Sequence, residues 1–497
     1  MSSRLAFIDL AIILLYVAGT TLLGLRLARR QRDLKSYFVG DRAVNWWLVL
    51  VSIVATETST VTFLSVPGIT FGADGNLNFL QLAMGYVVGR IVIAWFLLPQ
   101  FFRGGLFSAY EVLRQRFSPT VQRVASALFL ATRTVADGLR LFLAALLIQQ
   151  FTGWGLPISV IALGVVTLFY TYLGGMKAVI WTDLIQFVVY IAGAILAGIF
   201  ILQLIPGGWS EFLRVGSEAH KFDLFDFTPT RTKAYTFWAG LIGGAVFTMA
   251  SHGADQMMVQ RYLCAKSLGE ARRALVVSGF LVLLQFLLFL LIGVGLFVLR
   301  QQGTLEVEPD MKNDAAFGRF IVTKLPAGLI GLLVAAVLAS SMSTLSSSLN
   351  SAASAFVSDF YRPLVPGRSE AAYLRVSRFM TAFWGITRMA VALAAYALNS
   401  PRSIVDQVLQ VAGMTTGLLL GLFVLGSLRR PVSSRAALIG MLAGATAVFG
   451  FWLPSNWQPA LLAWPWFAPL GAGVTIAVGL TAKLLEPVYG PPHDRKP

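Results

Sequence analysis

Apolar stretches of about twenty residues follow one another along almost the whole chain, and each is the length that crosses a bilayer as a helix. A hydrocarbon layer accepts only segments that satisfy their own backbone N–H and C=O groups, so these stretches are read as helices. About thirteen are present, over 7–27, 44–66, 77–99, 121–150, 156–174, 179–204, 234–259, 274–299, 327–357, 374–398, 403–428, 435–453 and 461–482. Charged residues are 12% of the total, about half the share of a soluble domain. The expected fold class is therefore all-α: a polytopic membrane protein whose first partner is the lipid bilayer. Phe7 to Leu25 is long enough to span, and no small-residue cleavage site follows it, so it is expected to remain as a helix.

A net charge of +16 invites a nucleic-acid reading, which the distribution excludes. Lys and Arg gather in alternate loops: Arg29 to Arg42, Arg103 to Arg116, Lys177, Arg261 to Arg273, Arg362 to Arg378, and Arg429 to Arg435. The short loops 67–76, 151–155 and 454–460 carry none. This positive-inside pattern predicts an outside amino terminus, a cytoplasmic carboxyl terminus and a plasma (inner) membrane location. Loops 205–233 and 300–326 then fall outside; long loops follow the charge rule poorly. Cys264 is the single cysteine, so no intrachain disulfide is possible. Residues 487–497 read as a short Pro-rich cytoplasmic tail, and no appended soluble domain or obligatory protein partner is expected.

Two spans carry polar and helix-weakening residues at mid-depth. One runs Ser52-Ile-Val-Ala-Thr-Glu57-Thr-Ser-Thr60 and continues to Pro67-Gly68; the other runs from Gly243-Gly244 to Ser251-His252-Gly253-Ala254-Asp255-Gln256. Irregular backbone at membrane depth survives only where protein or a cavity surrounds it. Each break opens a five-span set, 44–204 and 234–428, and corresponding breaks in two halves point to a transporter site between inverted repeats. A third feature is the run Ala339-Ser-Ser-Met-Ser343-Thr-Leu-Ser-Ser-Ser-Leu-Asn-Ser351. A helix there stacks Ser343, Ser346 and Ser347 on one face, a column of neutral oxygens suited to a hard cation such as sodium. The competing explanation is close helix packing through small residues.

Three longer motifs resemble those of the sodium:solute symporters: Gly174-Gly-Met-Lys-Ala-Val-Ile-Trp-Thr-Asp183-Leu-Ile-Gln186, Val259-Gln-Arg-Tyr-Leu263, and Met342-Ser-Thr-Leu-Ser-Ser347. That family includes bacterial proline, sialic acid and galactose carriers and sodium-coupled glucose, monocarboxylate, multivitamin and iodide carriers, and the resemblance covers about residues 5 to 485. It implies one transporter domain over 1–486 with a five-plus-five inverted-repeat core of the LeuT type. An extra helix, 7–27, precedes repeats 44–204 and 234–428, and two more, 435–482, follow. It implies a sodium site made by the carbonyls of Ala55, Thr58 and Ser340 and the hydroxyls of Ser343 and Thr344. It offers a second sodium site at Asp183, Ser343, Ser346 and Ser347, against which stands a structural pairing of Asp183 with Lys177 or an Arg. The coupling ions are accordingly one or two Na+.

Alignment with the sugar carriers of that family puts the solute near Thr62, Asn78, Gln81, Asp255 and Asp406, although the family's sugar-binding residue types are absent at Thr62 and Asn78. The arginine that holds the carboxylate in the sialic acid carriers falls at Ala136. From the residues themselves, Arg133, Asp137 and Arg140 share one helix face, with spacings of four and three. Arginine grips carboxylates bidentately, so Arg133 and Arg140 favour an organic anion, while internal ion pairing remains the other reading. Glu57, His252 and Arg388 stand in the same position between packing and function, since charge inside a membrane is costly and often functional. The expected function is inward sodium movement coupled to uptake of a small organic solute by alternating access. A proton-coupled carrier using Glu57 or Asp183, or a non-transporting receptor, are the alternatives. An enzyme is not expected: His220, His252 and His493 are scattered and form no metal-ligand motif.

Overall fold

The computed structural model describes residues 6–28, 33–103, 105–308, 311–398, 404–430, 432–454 and 461–485. Among the described residues every regular element is helical, and one isolated bridge joins Val44 to Ala265. The helices are α1 (Phe7–Ala28), α2 (Leu34–Val39), α3 (Trp46–Glu57), α4 (Thr60–Phe71), α5 (Leu80–Val92), α6 (Leu98–Phe101), α7 (Glu111–Arg116), α8 (Pro119–Thr152), α9 (Leu156–Leu204) and α10 (Gly208–Glu218). They continue as α11 (Gly244–Gly253), α12 (Gln256–Leu263), α13 (Leu268–Gln301), α14 (Ala316–Lys324), α15 (Leu329–Phe356), α16 (Arg362–Leu364), α17 (Glu370–Leu398), α18 (Ile404–Ser427), α19 (Ser434–Trp452) and α20 (Phe467–Leu485).

Among the described residues nine helices are long and apolar enough to cross a membrane, ten with the bent pair α3–α4 taken as one span. Three expected stretches fall outside that set for visible reasons. α8 carries Arg123, Arg133, Asp137 and Arg140, the first part of α9 is a short apolar helix, and 234–259 is interrupted. The stretches 156–174 and 179–204 form one helix with a single non-helical residue, Gly175 at φ 54°, a left-handed value that glycine adopts without a Cβ penalty.

Both anticipated breaks are present. Between α3 and α4 the axis turns by 62°. Thr58 and Ser59 leave the helical region there, and Thr58 Oγ1 turns back to donate to Val54 O at 2.8 Å, the local competition that weakens helices at Ser and Thr. The second break falls at Ala254–Asp255, where the Asp255 carboxylate accepts from Met257 N at 2.8 Å and so caps the N-terminus of α12.

α15 runs through the middle of the molecule, against α1, α3, α8, α9 and α17, and residues 339–351 are all buried. Its start is held by α1: Asp9 Oδ1 accepts from Gly328 N and Gly331 N, both at 2.7 Å. Close approach elsewhere depends on glycine. A Cβ at Gly85 of α5 would lie 2.2 Å from Gly240 O, so only a bare backbone lets α5 meet the start of the second broken span.

Candidate functional site

The two breaks, α8, α15 and α18 enclose a cavity of about 130 Å³. Tyr86, Phe247, Phe286, Met257, Met258 and Leu409 give it apolar walls, and Glu57, Arg133, Arg140, His252 and Asp255 give it charge. On one side a small apolar cluster of Val61 and Leu143, packed with Leu146 and Leu409, divides it from a larger space of about 460 Å³.

Guanidiniums and carboxylates around this cavity are paired, but not one to one. Glu57 at the end of α3 meets Arg90 of α5, whose Nη1 donates to Ser278 Oγ at 2.6 Å, and His252 Nε2 lies 3.5 Å from the same carboxylate. Arg133 Nε and Nη2 both donate to Asp255 Oδ2, at 3.0 and 2.7 Å, tying α8 to the second break. Asp137 is shared: Arg140 Nη1 is 2.5 Å from Oδ1, and Arg388 Nη2 is 3.7 Å from Oδ2. Arg90, Arg133, Arg140 and Arg388 are thus four cations against the three carboxylates Glu57, Asp137 and Asp255. One positive charge is left over with His252 neutral, and Arg140, whose Nε has no hydrogen-bond partner, lines the cavity.

Of the ligands expected from α15 for the first sodium site, Thr344 is the one in direct contact with the first break, where it crosses α15. Thr344 Oγ1 donates to Thr56 O at 3.0 Å and to Ser340 O at 3.3 Å, so helix and break are in direct contact. Ser59 N bonds Glu57 O at 3.0 Å, which deprives the Ala55 carbonyl of the donor a continuous helix would provide. Thr58 Oγ1 is engaged by Gln285 and Tyr190, which steadies the loop from the side of α13 and α9. Ser340 Oγ is turned onto Val337 O, leaving its carbonyl to face Thr344. This is a set of neutral oxygens of the kind hard monovalent cations take.

The second expected ion position already holds a cation belonging to the protein. Asp183 accepts from Ser52 Oγ at 2.5 Å and Ser343 Oγ at 2.6 Å, and Arg261 Nη2 lies 3.4 Å from its Oδ2. The same Nη2 contacts Thr56 Oγ1 and Ser347 Oγ, while Ser346 Oγ turns to Ser343 O. The structural partner of Asp183 is therefore Arg261; Lys177 pairs instead with Asp41. Arg261 and Asp183 are both fully buried, and separating such a pair leaves an uncompensated charge.

Of the expected solute residues, Thr62, Arg133, Arg140 and Asp255 line the one cavity. Asn78 and Gln81 do not. Gln81 faces away, its Nε2 donating to Tyr235 O at 3.2 Å and its Oε1 accepting from Asp226 N, so it fastens the 205–233 loop and the start of the next span. The side-chain surroundings of Asp406 lie outside the described residues. Arg90 is the participant that sequence reasoning passed over, although an arginine inside the apolar stretch 77–99 is the same signal that marks Arg388. Ser278 and Gln285 carried no such signal.

The sodium:solute symporter family is matched over residues 37–444. The sodium/sialic acid symporter SiaT of Proteus mirabilis is 30% identical over 486 residues, covering 97% of this chain and 96% of the relative. The human sodium-coupled monocarboxylate transporter 1 is 31% identical over 421 residues, 83% of this chain and 67% of the relative. The substrate-bound outward-open structure of a Na+-coupled sialic acid symporter superposes with a TM-score of 0.87 at 28% identity, covering 97% of this chain and 98% of the other.

Proposed function

The chain belongs to the sodium:solute symporter family, and from that premise we propose that the solute it carries with sodium is a small monovalent carboxylate. It is a secondary active transporter and not an enzyme. The observation that supports the carboxylate is the charge imbalance: four arginines in and behind the cavity wall meet three acids, and Arg140 is part of that wall. Size points the same way. A cavity of about 130 Å³ is comparable to the ~150 Å³ that accepts a benzene, so about six non-hydrogen atoms fit, fewer than a sialic acid brings. The apolar walls suit a short hydrocarbon chain beyond the carboxylate.

The coupling ion sits between the Ala55 and Thr58 carbonyls of the break and the Ser340 carbonyl, Ser343 and Thr344 of α15. Sodium there ties the break to α15 and completes the solute cavity. A monovalent carboxylate entering with one Na+ moves no net charge, so the sodium concentration gradient alone drives it; a second Na+ adds about 2.3 kcal/mol per 100 mV, more than the ~1.4 kcal/mol of a tenfold solute gradient. A second ion at Asp183, Ser343, Ser346 and Ser347 binds only with the Arg261 guanidinium withdrawn. Thirteen spans, arranged as one helix, two inverted repeats of five and two more helices, with the amino terminus outside, accord with the positive-inside pattern. The test is a thermal-shift screen of purified protein against carboxylates of increasing size, amino acids, sugars and vitamins, each with Na+ or choline. Stabilisation by a two- to four-carbon monocarboxylate in Na+ alone is expected; stabilisation only by neutral sugars refutes the proposal.

A further inference from the structure

Arg388 holds a charge that the cavity never touches. It lies on α17 with 1% exposure, and it is absent from the cavity wall. Gly138 brings it close: a Cβ there would meet Val391 Cγ1 at 2.4 Å and the Arg388 carbonyl at 3.2 Å, so only glycine lets α17 settle against α8 at this level. The guanidinium reaches Asp137 Oδ2 at 3.7 Å and donates from Nη2 to Ser348 Oγ at 3.0 Å. Ser348 Oγ in turn donates to that same carboxylate oxygen. Arg140 holds the other oxygen, so one anion serves two cations, and Nε and Nη1 of Arg388 have no hydrogen-bond partner.

We propose that Arg388 is a positioning residue for an anionic solute: by engaging half of Asp137 it keeps Arg140 from being neutralised, and the surplus charge is presented at the cavity through Arg140. Asp137 and Arg388 are both buried, where charge is weakly screened and is felt over several ångströms. The inference rests on the carboxylate reading given above. A structural Arg388, which merely bolts α8, α15 and α17 together, is the competing account, and the local charge balance separates the two. Around Asp137 the natural chain has a surplus of one positive charge; Arg388→Gln removes it, and Arg388→Gln with Asp137→Asn restores it.

The experiment is sodium-driven uptake into proteoliposomes, using the monocarboxylate that stabilises the purified protein, with KM and kcat measured separately. Arg388→Gln is expected to raise KM about tenfold with a smaller change in kcat. The double variant is expected to return within about threefold of the natural chain, and Arg388→Lys, which keeps the charge, likewise. KM unchanged in Arg388→Gln, or a double variant as impaired as the single one, overturns the inference. Arg388→Lys tests the same point should Arg388→Gln fail to assemble, since a lysine variant with a KM raised about tenfold contradicts a charge-based role. If Arg140→Gln raises KM while Arg388→Gln does not, only this inference fails; if neither does, the carboxylate reading fails as well.

Discussion

Arg140→Gln is the cleanest perturbation of the solute site, because the structure says what is left behind. Removing the Arg140 charge deprives Asp137 of its 2.5 Å partner, but Arg388 at 3.7 Å and the Ser348 hydroxyl stay on the other carboxylate oxygen. No buried acid is orphaned, so the variant is expected to fold. The ceiling on the loss is the attraction of two unit charges at about 4 Å, roughly 4 kcal/mol at an effective dielectric constant of 20. A hydrogen bond to a charged group, net of resolvation, is worth about 1.5–3 kcal/mol, and that is the better guide here. KM for the carboxylate should therefore rise about 10- to 150-fold, with sodium affinity in the absence of solute unchanged. The assay is sodium-driven uptake in proteoliposomes, with sodium-induced thermal stabilisation as the internal control. A KM within twofold of the natural chain removes Arg140 from the solute site and with it the main support for an anionic solute.

Thr344→Ala deletes the hydroxyl that bridges the break and α15, and half-maximal sodium activation should shift up by about tenfold; an unshifted sodium curve moves the ion elsewhere. Arg261→Gln leaves Asp183 without its guanidinium, so sodium should stabilise this variant more than the natural chain in a thermal-shift titration; equal stabilisation means that no ion enters at Asp183. Asp255→Asn strips the carboxylate from Arg133 and should cost about 3–5 kcal/mol. Asp359→Asn should cost under about 1 kcal/mol, since Asp359 is held by the neutral Ser108 and Gln122. Melting temperatures of the purified variants check the order, and the reverse order refutes the pairing argument.

What the sequence made legible is what a bilayer penalises. Glu57, Asp183, His252, Asp255 and the Arg133–Asp137–Arg140 face stood out because polar groups in apolar stretches need a reason to be there. Both helix breaks and the hydroxyl-bearing face of α15 fell where those residues put them. Pairing did not follow from the same signals. Asp183 meets an arginine 78 positions away, and nothing in either local sequence states that the guanidinium would occupy the expected second ion position. Asn78 and Gln81 illustrate a second limit. Near the end of a span, one residue of alignment error rotates a side chain by about 100°, enough to turn it from the cavity to the loop that Gln81 fastens. The span count suffers for a related reason: α8 carries its charges inside the helix, so hydropathy alone undervalues it.

The ion pairs also divide according to which helices they join, and this bears on transport. α8, α9, α15 and α17 pack against one another, α5 packs against α11 and α13, and α3 lies against both α13 and α9. Glu57, Arg90 and His252 form one cluster across α3, α5 and α11. Arg133–Asp255 joins α8 to the start of α12, and Arg261–Asp183 joins α12 to α9. Both tie α12 to the α8–α9–α15–α17 set, whereas the contact of Val61 in α4 with Leu143 in α8 is apolar. Parting an ion pair costs several kcal/mol unless something takes its place. On the function proposed above, the solute carboxylate would compete with Asp255 for Arg133, and a second sodium with Arg261 for Asp183.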